Sequence, residues 1–357
     1  MRDRPDNLDQ VAVLFGTHPA YLEHDTGVGH PERPARLGAV ARGIEQAGLV
    51  DLMVPFSPRP ATRAELEGVH SSEYLDAVER FCRAGGGAID ADTTAGESSW
   101  NAATVAAGAG VDAIERLDRG EADAAFLAVR PPGHHATPVR AMGFCLLNNV
   151  AVAAAALADR GERVLIVDWD AHHGNGTQAA FYADPRVLYV SMHQFPLYPG
   201  TGRLEETGEG EAVGTTINLP FPPGTTGDTY RLALDEVLAP AVESFGPTWA
   251  IVSAGYDGHR ADPLTDLGLS AGDFADLMAA VMTFAGPGRR LAFLEGGYDL
   301  TALADSVGAS LAALGGLSYR PEPATSGGPG ASVVEASRLI RERELVPRPS
   351  PGAGTNG

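Results

Sequence analysis

The chain has 357 residues, with 26 basic and 46 acidic side chains and a formal charge of −20. A 44% hydrophobic content excludes a wholly disordered chain and is ample for a sizeable core. The negative balance argues against nonspecific nucleic-acid binding, and two cysteines, Cys82 and Cys145, are too few for a disulfide framework or a Cys-based zinc knuckle.

Taken in chain order, residues 1–10 are charged and polar, so no secretory leader is expected there. A strand is predicted over 11–15, a helix over 100–119, a strand over 124–129 and a helix over 149–160. Strands follow at 164–168 and 187–192. A helix over 228–245 leads to a strand at 249–253. A helix over 270–284, a strand at 290–294 and a helix over 301–314 complete the series. Continuous apolar strands separated by helices predict an α/β fold, with a central parallel sheet covered by helices on both faces. From Arg320 onward Pro, Gly and Ser dominate. Residues 1–319 are therefore expected to form one folded domain, and 320–357 a Pro/Gly-rich tail with one short amphipathic segment at 331–344, mobile from Pro347. No apolar run reaches 18 residues, because Asn148 and Asn149 interrupt the richest stretch. No membrane span is expected, and a soluble, cytoplasmic protein is the default.

Five of the six predicted strands deliver polar residues at their carboxyl ends, where open parallel sheets bind ligands. After 124–129 comes Arg130-Pro-Pro-Gly-His134-His135. After 164–167 comes Asp168-Trp-Asp170-Ala-His172-His173-Gly-Asn175-Gly. Ser191-Met192-His193, Tyr256-Asp257 and Glu295-Gly-Gly-Tyr298 close three further strands. Asp170, His172 and Asp257 suit a divalent transition ion, and three protein ligands leave a coordination position open, as catalytic zinc requires. Residues 170 and 172 lie two apart, so in an extended segment both side chains face one way. A neutral imidazole from the His134-His135 pair can accept a proton from metal-activated water if its other nitrogen is oriented, and Asp168 and Asn175 are the candidates for that role. Gly296 and Gly297 permit close backbone approach before Tyr298, whose phenol can donate to a developing oxyanion. Gly143, Phe144 and Tyr198 can wall a narrow channel.

In combination these motifs, together with Leu197-Tyr-Pro-Gly-Thr-Gly and His24-Asp-Thr-Gly-Val-Gly-His-Pro-Glu-Arg-Pro-Ala-Arg36, resemble the zinc-dependent histone deacetylase superfamily over roughly residues 15 to 315. That superfamily includes bacterial acetylpolyamine amidohydrolases and acetoin-utilisation proteins. Asn175, where class I members carry Asp, resembles the class II branch. The resemblance implies an arginase/deacetylase-type fold and a zinc amidohydrolase that releases acetate from acetyl-lysine in a peptide or protein, or from an acetylated polyamine. It implies zinc at Asp170, His172 and Asp257, and His135 as general base with Asn175 in the place of its orienting partner. His134 is implied to pair with Asp168 as an electrostatic or acid helper, and Tyr298 to polarise the acyl carbonyl. Gly143, Phe144 and Tyr198 are implied to line the acyl channel, with Leu264 and Gly296 also against the substrate and Arg36 near the inner end. Potassium is implied at Asp168, Ser191, and the carbonyls of Asp170, His172 and Met192, where its charge would lower the proton affinity of His134. Asn175 cannot supply the negative charge that Asp would, so His135 is expected to be less basic than in class I relatives. The acid that grips substrate backbone at the rim is either Asp90 or Asp92. Leu264 stands where a polyamine-selective relative carries an acid. Two other classes stay open: an acetyl-group binding module without catalysis, and a dinuclear manganese ureohydrolase on the same fold. No motif reads out subunit number, and a homo-oligomer stays open.

Overall fold

The structure, a computed structural model, describes residues 11–345. The mobility expected from Pro347 onward therefore lies outside the described residues. Eight strands form one all-parallel sheet: β1 (Val13–Gly16), β2 (Met53–Phe56), β5 (Ala124–Leu127), β6 (Val164–Asp168), β7 (Val187–Gln194), β8 (Thr216–Phe221), β9 (Trp249–Ala254) and β10 (Arg290–Leu294). Their order is β2-β1-β5-β10-β9-β6-β7-β8. A two-residue hairpin, β3 (Gly87–Ala88) with β4 (Thr94–Ala95), stands apart from it.

The apolar runs become strands because both faces of the sheet are buried. Along β6, Leu165 and Val167 join one core, while Val164 and Ile166 join the other. β9 divides the same way, with Ala250 and Val252 on one side and Trp249 and Ile251 on the opposite side. Alternation with apolar residues at every position is the signature of a strand covered on both sides.

The six predicted strands are all present. The sequence reading missed the two outermost, β2 and β8, which carry Pro55 and Pro220. Proline cannot donate to a ladder, so it lowers the strand signal and is tolerated at a sheet edge. The segment expected as one helix over 228–245 is interrupted. It runs as Gly227–Ala233, a π-helical turn over Leu234–Leu238, and Ala239–Phe245. Pro240, which lacks an N–H, sits where the wide turn gives way to the last helix.

Beyond Arg320 the chain lies along the body. The Thr325 hydroxyl donates to Asp273, and a helix over Ala331–Leu345 packs near β8 and the helix Gly227–Ala233. Topology matters most for the site. The five strands whose ends carry polar motifs, β5, β10, β9, β6 and β7, are contiguous, so their carboxyl ends form one floor.

Candidate active site

Asp170 follows β6 by two residues and Asp257 follows β9 by three. Because β6 and β9 are neighbours, these two buried carboxylates come together. Donor atoms of Asp170, His172 and Asp257 all lie within 4.8 Å of one another. His172 Nδ1 is 2.8 Å from Asp257 Oδ2 and 3.2 Å from Asp170 Oδ1. The remaining oxygens are held by backbone donors. Ala171 N–H donates to Asp257 Oδ1 at 2.9 Å, and Gly296 N–H to Asp170 Oδ2 at 2.7 Å.

Glycine is required around this cluster. A Cβ on Gly296 would fall 2.4 Å from Asp257 Oδ2, and one on Gly255 would fall 2.2 Å from Asp170 Oδ2. The two acids raise the proton affinity of the imidazoles that face them. Burial opposes protonation of His172, yet its bonds to Asp170 and Asp257 outweigh burial and raise it to about 10. Asp257 is itself raised, by burial and then by the charge of Asp170. Two carboxylates and one imidazole, converging in a cradle that excludes side chains, form a donor set that fits a divalent transition ion.

His134 and His135 share a loop and differ in state. His134 Nδ1 lies 3.0 Å from Asp168 Oδ2. Burial lowers its proton affinity, but the charges of Asp168 and Asp170 prevail and raise it to about 10. His135 is held well below the ordinary value, first by burial and then by positive His134 and His172. Its Nδ1 meets Asn175 Oδ1 at 2.8 Å, and the Asn175 amide donates to Met142 Sδ at 3.4 Å. That orientation makes His135 Nδ1 the donor and leaves Nε2 as a free acceptor.

A cleft of about 230 Å³ opens over this floor, and Asp92, Phe144, His172, Tyr198, Leu264 and Tyr298 are among its lining. Gly143 has a positive φ, and a Cβ there would sit 2.3 Å from His135 Cδ2. Phe144, at φ 66°, is the one non-glycine with positive φ among the described residues. Such strain persists where the surroundings over-determine it. Here the Phe144 N–H donates to Thr93 Oγ1 at 3.1 Å, and its ring meets Tyr298 edge-on at 5.8 Å. Tyr198 stands at right angles to His135, with ring centroids 5.2 Å apart. The Tyr298 phenol is raised well above its ordinary range, by burial and then by Asp257, so it stays a proton donor.

The two rim acids separate by their partners. Asp90 Oδ1 accepts the N–H groups of Asp92 and Thr93, and Asp90 Oδ2 is 3.9 Å from Arg140. Asp92 Oδ1 accepts the Thr93 hydroxyl at 2.8 Å, and Asp92 lines the cleft. At the floor, Asp168 pairs with Ser191 across the β6–β7 ladder, one residue before Met192. Ser191 Oγ is 2.9 Å from His193 Nδ1, and the Met192 carbonyl accepts from Tyr230 at 3.4 Å.

The roles of Glu32, Glu295 and Asp262 escaped the sequence reading. Arg36, placed there only near the inner end, is fully buried and donates to the carbonyls of Gly297, at 2.8 Å, and Glu295. Glu32 bridges Arg36 to Arg130, so a buried ion-pair chain joins the Tyr298 loop to the loop carrying His134 and His135. Glu295 receives the N–H groups of Gly133 and His134, and burial raises it to about 7. Asp262 accepts the Tyr298 N–H at 2.7 Å and the Leu264 N–H at 3.0 Å. Glu32 and Glu295 stand inside quoted motifs, but nothing local marks them as buried. Asp262 has only its neighbour Pro263 as a signal.

Residues 30–314 match the family described as histone deacetylase domain. A probable deacetylase of Archaeoglobus fulgidus is 41% identical over 296 residues, covering 81% of this chain and 82% of the relative. A histone deacetylase-like amidohydrolase of Pseudomonas aeruginosa is 37% identical over 287 residues, covering 78% of this chain and 75% of the relative. The crystal structure of the HDA15 HD domain shares the fold with a TM-score of 0.85 at 35% identity, covering 94% of this chain and 100% of that one.

Proposed function

The chain belongs to the histone deacetylase family, and from that premise we propose that it is a zinc-dependent amidohydrolase that removes an acetyl group from acetyl-lysine or a related acetylated amine. The observation that carries this reading is the meeting of Asp170, His172 and Asp257 on the floor of a cleft that neutral His135 and protonated Tyr298 also line. Asp170, His172 and Asp257 would hold zinc, which supplies Lewis-acid polarisation of the acyl carbonyl and acidifies water.

The chain's own residues do the rest. His135 takes a proton from the attacking water at Nε2, while Asn175 fixes its Nδ1–H. Tyr298 donates its phenolic proton as a hydrogen bond to the developing oxyanion. A protonated imidazole of the pair then donates to the leaving nitrogen, and Asp168 with Asp170 favours His134 for that charge. Potassium at Asp168, Ser191 and the carbonyls of Asp170, His172 and Met192 would moderate the proton affinity of His134. Phe144, Tyr198, Gly143, Leu264 and Gly296 shape the path of the acyl arm, and Asp92, which lines the cleft, is the rim acid. Residues 1–319 are the catalytic domain on this reading, and 320–357 its tail.

Two observations weigh against the alternatives. Among the described residues one three-donor group of this kind is found, which disfavours a dinuclear manganese centre. A neutral imidazole with a free acceptor nitrogen beside that group disfavours a mere binding module. Among the described residues no helix is long and apolar enough to cross a membrane. The deciding experiment strips the protein with a chelator, restores zinc, and follows acetate release from a capped acetyl-lysine amide and an acetylated polyamine. Turnover should return with about one zinc per chain. No release from either substrate by zinc-loaded protein would end the reading.

A further inference from the structure

Beside the cleft lies a second concavity with no part in the chemistry above. It encloses about 390 Å³, more than the 230 Å³ cleft. One wall is a helical stripe, Tyr74, Ala77, Val78 and Phe81, on the helix Ser72–Arg83. These positions are spaced i, i+3, i+4, i+7, the spacing of a single helix face. Ile89 and Val139 close the other side. Val139 is 66% exposed, an apolar side chain left in water at the groove's edge.

The groove neighbours the cleft. Asp90 lines the groove and Asp92 lines the cleft, two residues apart on one tight turn. An extended chain advances about 3.3–3.6 Å per residue, so a substrate chain held at Asp92 reaches the groove within about two residues. The charges at the lip are specific. Arg140 lines the groove, its side chain is 65% exposed, and Asp90 stands 3.9 Å away, at the limit of ion pairing. A cationic polyamine meets an apolar wall here, with Arg140 and Asp90 of opposite charge at its lip. A peptide meets a seat for an apolar side chain and a partner for a neighbouring carboxylate.

We propose that this groove binds an apolar residue within about two positions of the acetylated lysine of a peptide substrate, with an acidic residue beside it favoured by Arg140. The proposal rests on the deacetylase reading above and extends it to the sequence preferred around the lysine.

The test is a set of acetyl-lysine peptides with Leu, Phe or Gly at each of the two positions on either side, with and without an adjacent Glu. Catalytic efficiencies on the zinc-loaded full chain are divided by that for a capped acetyl-lysine amide too short to reach the groove. At one position Leu or Phe should exceed Gly by about tenfold. V139D and A77E, both at exposed positions, should shrink that ratio to within about twofold, and R140E should reverse the preference for Glu. A flat ratio in the parent protein, or an undiminished ratio in both groove variants, overturns the proposal while the deacetylase reading stands. If the capped amide itself is not hydrolysed, the deacetylase reading fails. Anisotropy titrations of labelled Leu and Gly peptides then judge the groove, and equal affinities overturn it. A change in sedimenting mass of V139D with an unchanged ratio assigns the groove to a second copy of the chain, which also overturns it.

Discussion

The floor and the rim of the cleft are built by opposite rules. On the floor, Asp170 and Asp257 are 1% and 0% exposed, sit just past the ends of neighbouring strands, and have their oxygens committed to backbone N–H groups and His172. At the rim, Tyr198 and Leu264 are 37% and 38% exposed and come from irregular loops. A buried charge is tolerated only where its partners are fixed, so the floor has one arrangement. An exposed side chain owes little to its neighbours and can vary with the ligand it meets. The lesson is a division of labour: substitutions on the floor should change metal binding and turnover, and substitutions at the rim should change affinity and selection.

The largest effect expected is that of Asp257→Ala. It removes one of three donors and leaves His172 with Asp170 as its one carboxylate partner in the cluster. Elemental analysis after dialysis should find no retained zinc, and turnover should fall to background. Stoichiometric zinc in this variant would break the assignment of the floor. Next comes Tyr298→Phe, which deletes one donor to the oxyanion while keeping the ring against Phe144. Its kcat should fall by about two to three orders of magnitude with zinc content unchanged. A change confined to KM would move Tyr298 from the floor to the rim.

A smaller, pH-dependent effect is expected from Asn175→Asp. His135 is lowered well below its ordinary value, first by burial, and its present partner is a neutral amide. A carboxylate at 175 stabilises the protonated imidazole, so its pKa rises. A base acts when unprotonated, so the acidic limb of the kcat/KM profile should move up by about one pH unit, costing about tenfold on that limb. A downward shift, or an alkaline limb moving alone, would separate His135 from the base.

The smallest effect belongs to the rim. Asp92→Ala should raise KM for an acetyl-lysine peptide about fivefold, the worth of one partly exposed hydrogen bond, with kcat nearly constant. Asp90→Ala should instead loosen the Asp90–Thr93 turn and lower thermal stability. If the Asp90 variant alone showed the KM effect, the two acids would have to exchange roles.

Much of this contrast was legible in the primary structure. The central strands announce themselves because burial on both faces demands apolar residues at successive positions, and the polar motifs after them stand out by contrast. The outer strands were hidden because Pro55 and Pro220 remove the local signal, although sheet edges tolerate them. The joining of Arg36 to Arg130 through Glu32 was equally hidden. Glu32 and Arg130 lie 98 residues apart, and a charged residue in sequence carries no mark of whether its partner waits inside the fold.

Taken alone, the order of amino acids determined the layered α/β architecture, the strand ends that bear chemistry, and the kinds of donor available there. These follow from local periodicity and from side-chain type. Tertiary structure alone decided which of two neighbouring aspartates turns into the cleft, why Gly143, Gly255 and Gly296 admit no side chain, and how a buried ion-pair chain joins the two catalytic loops of the proposed enzyme. Those features depend on distances between segments remote in sequence, and such distances exist only once the strands have taken their places in the sheet.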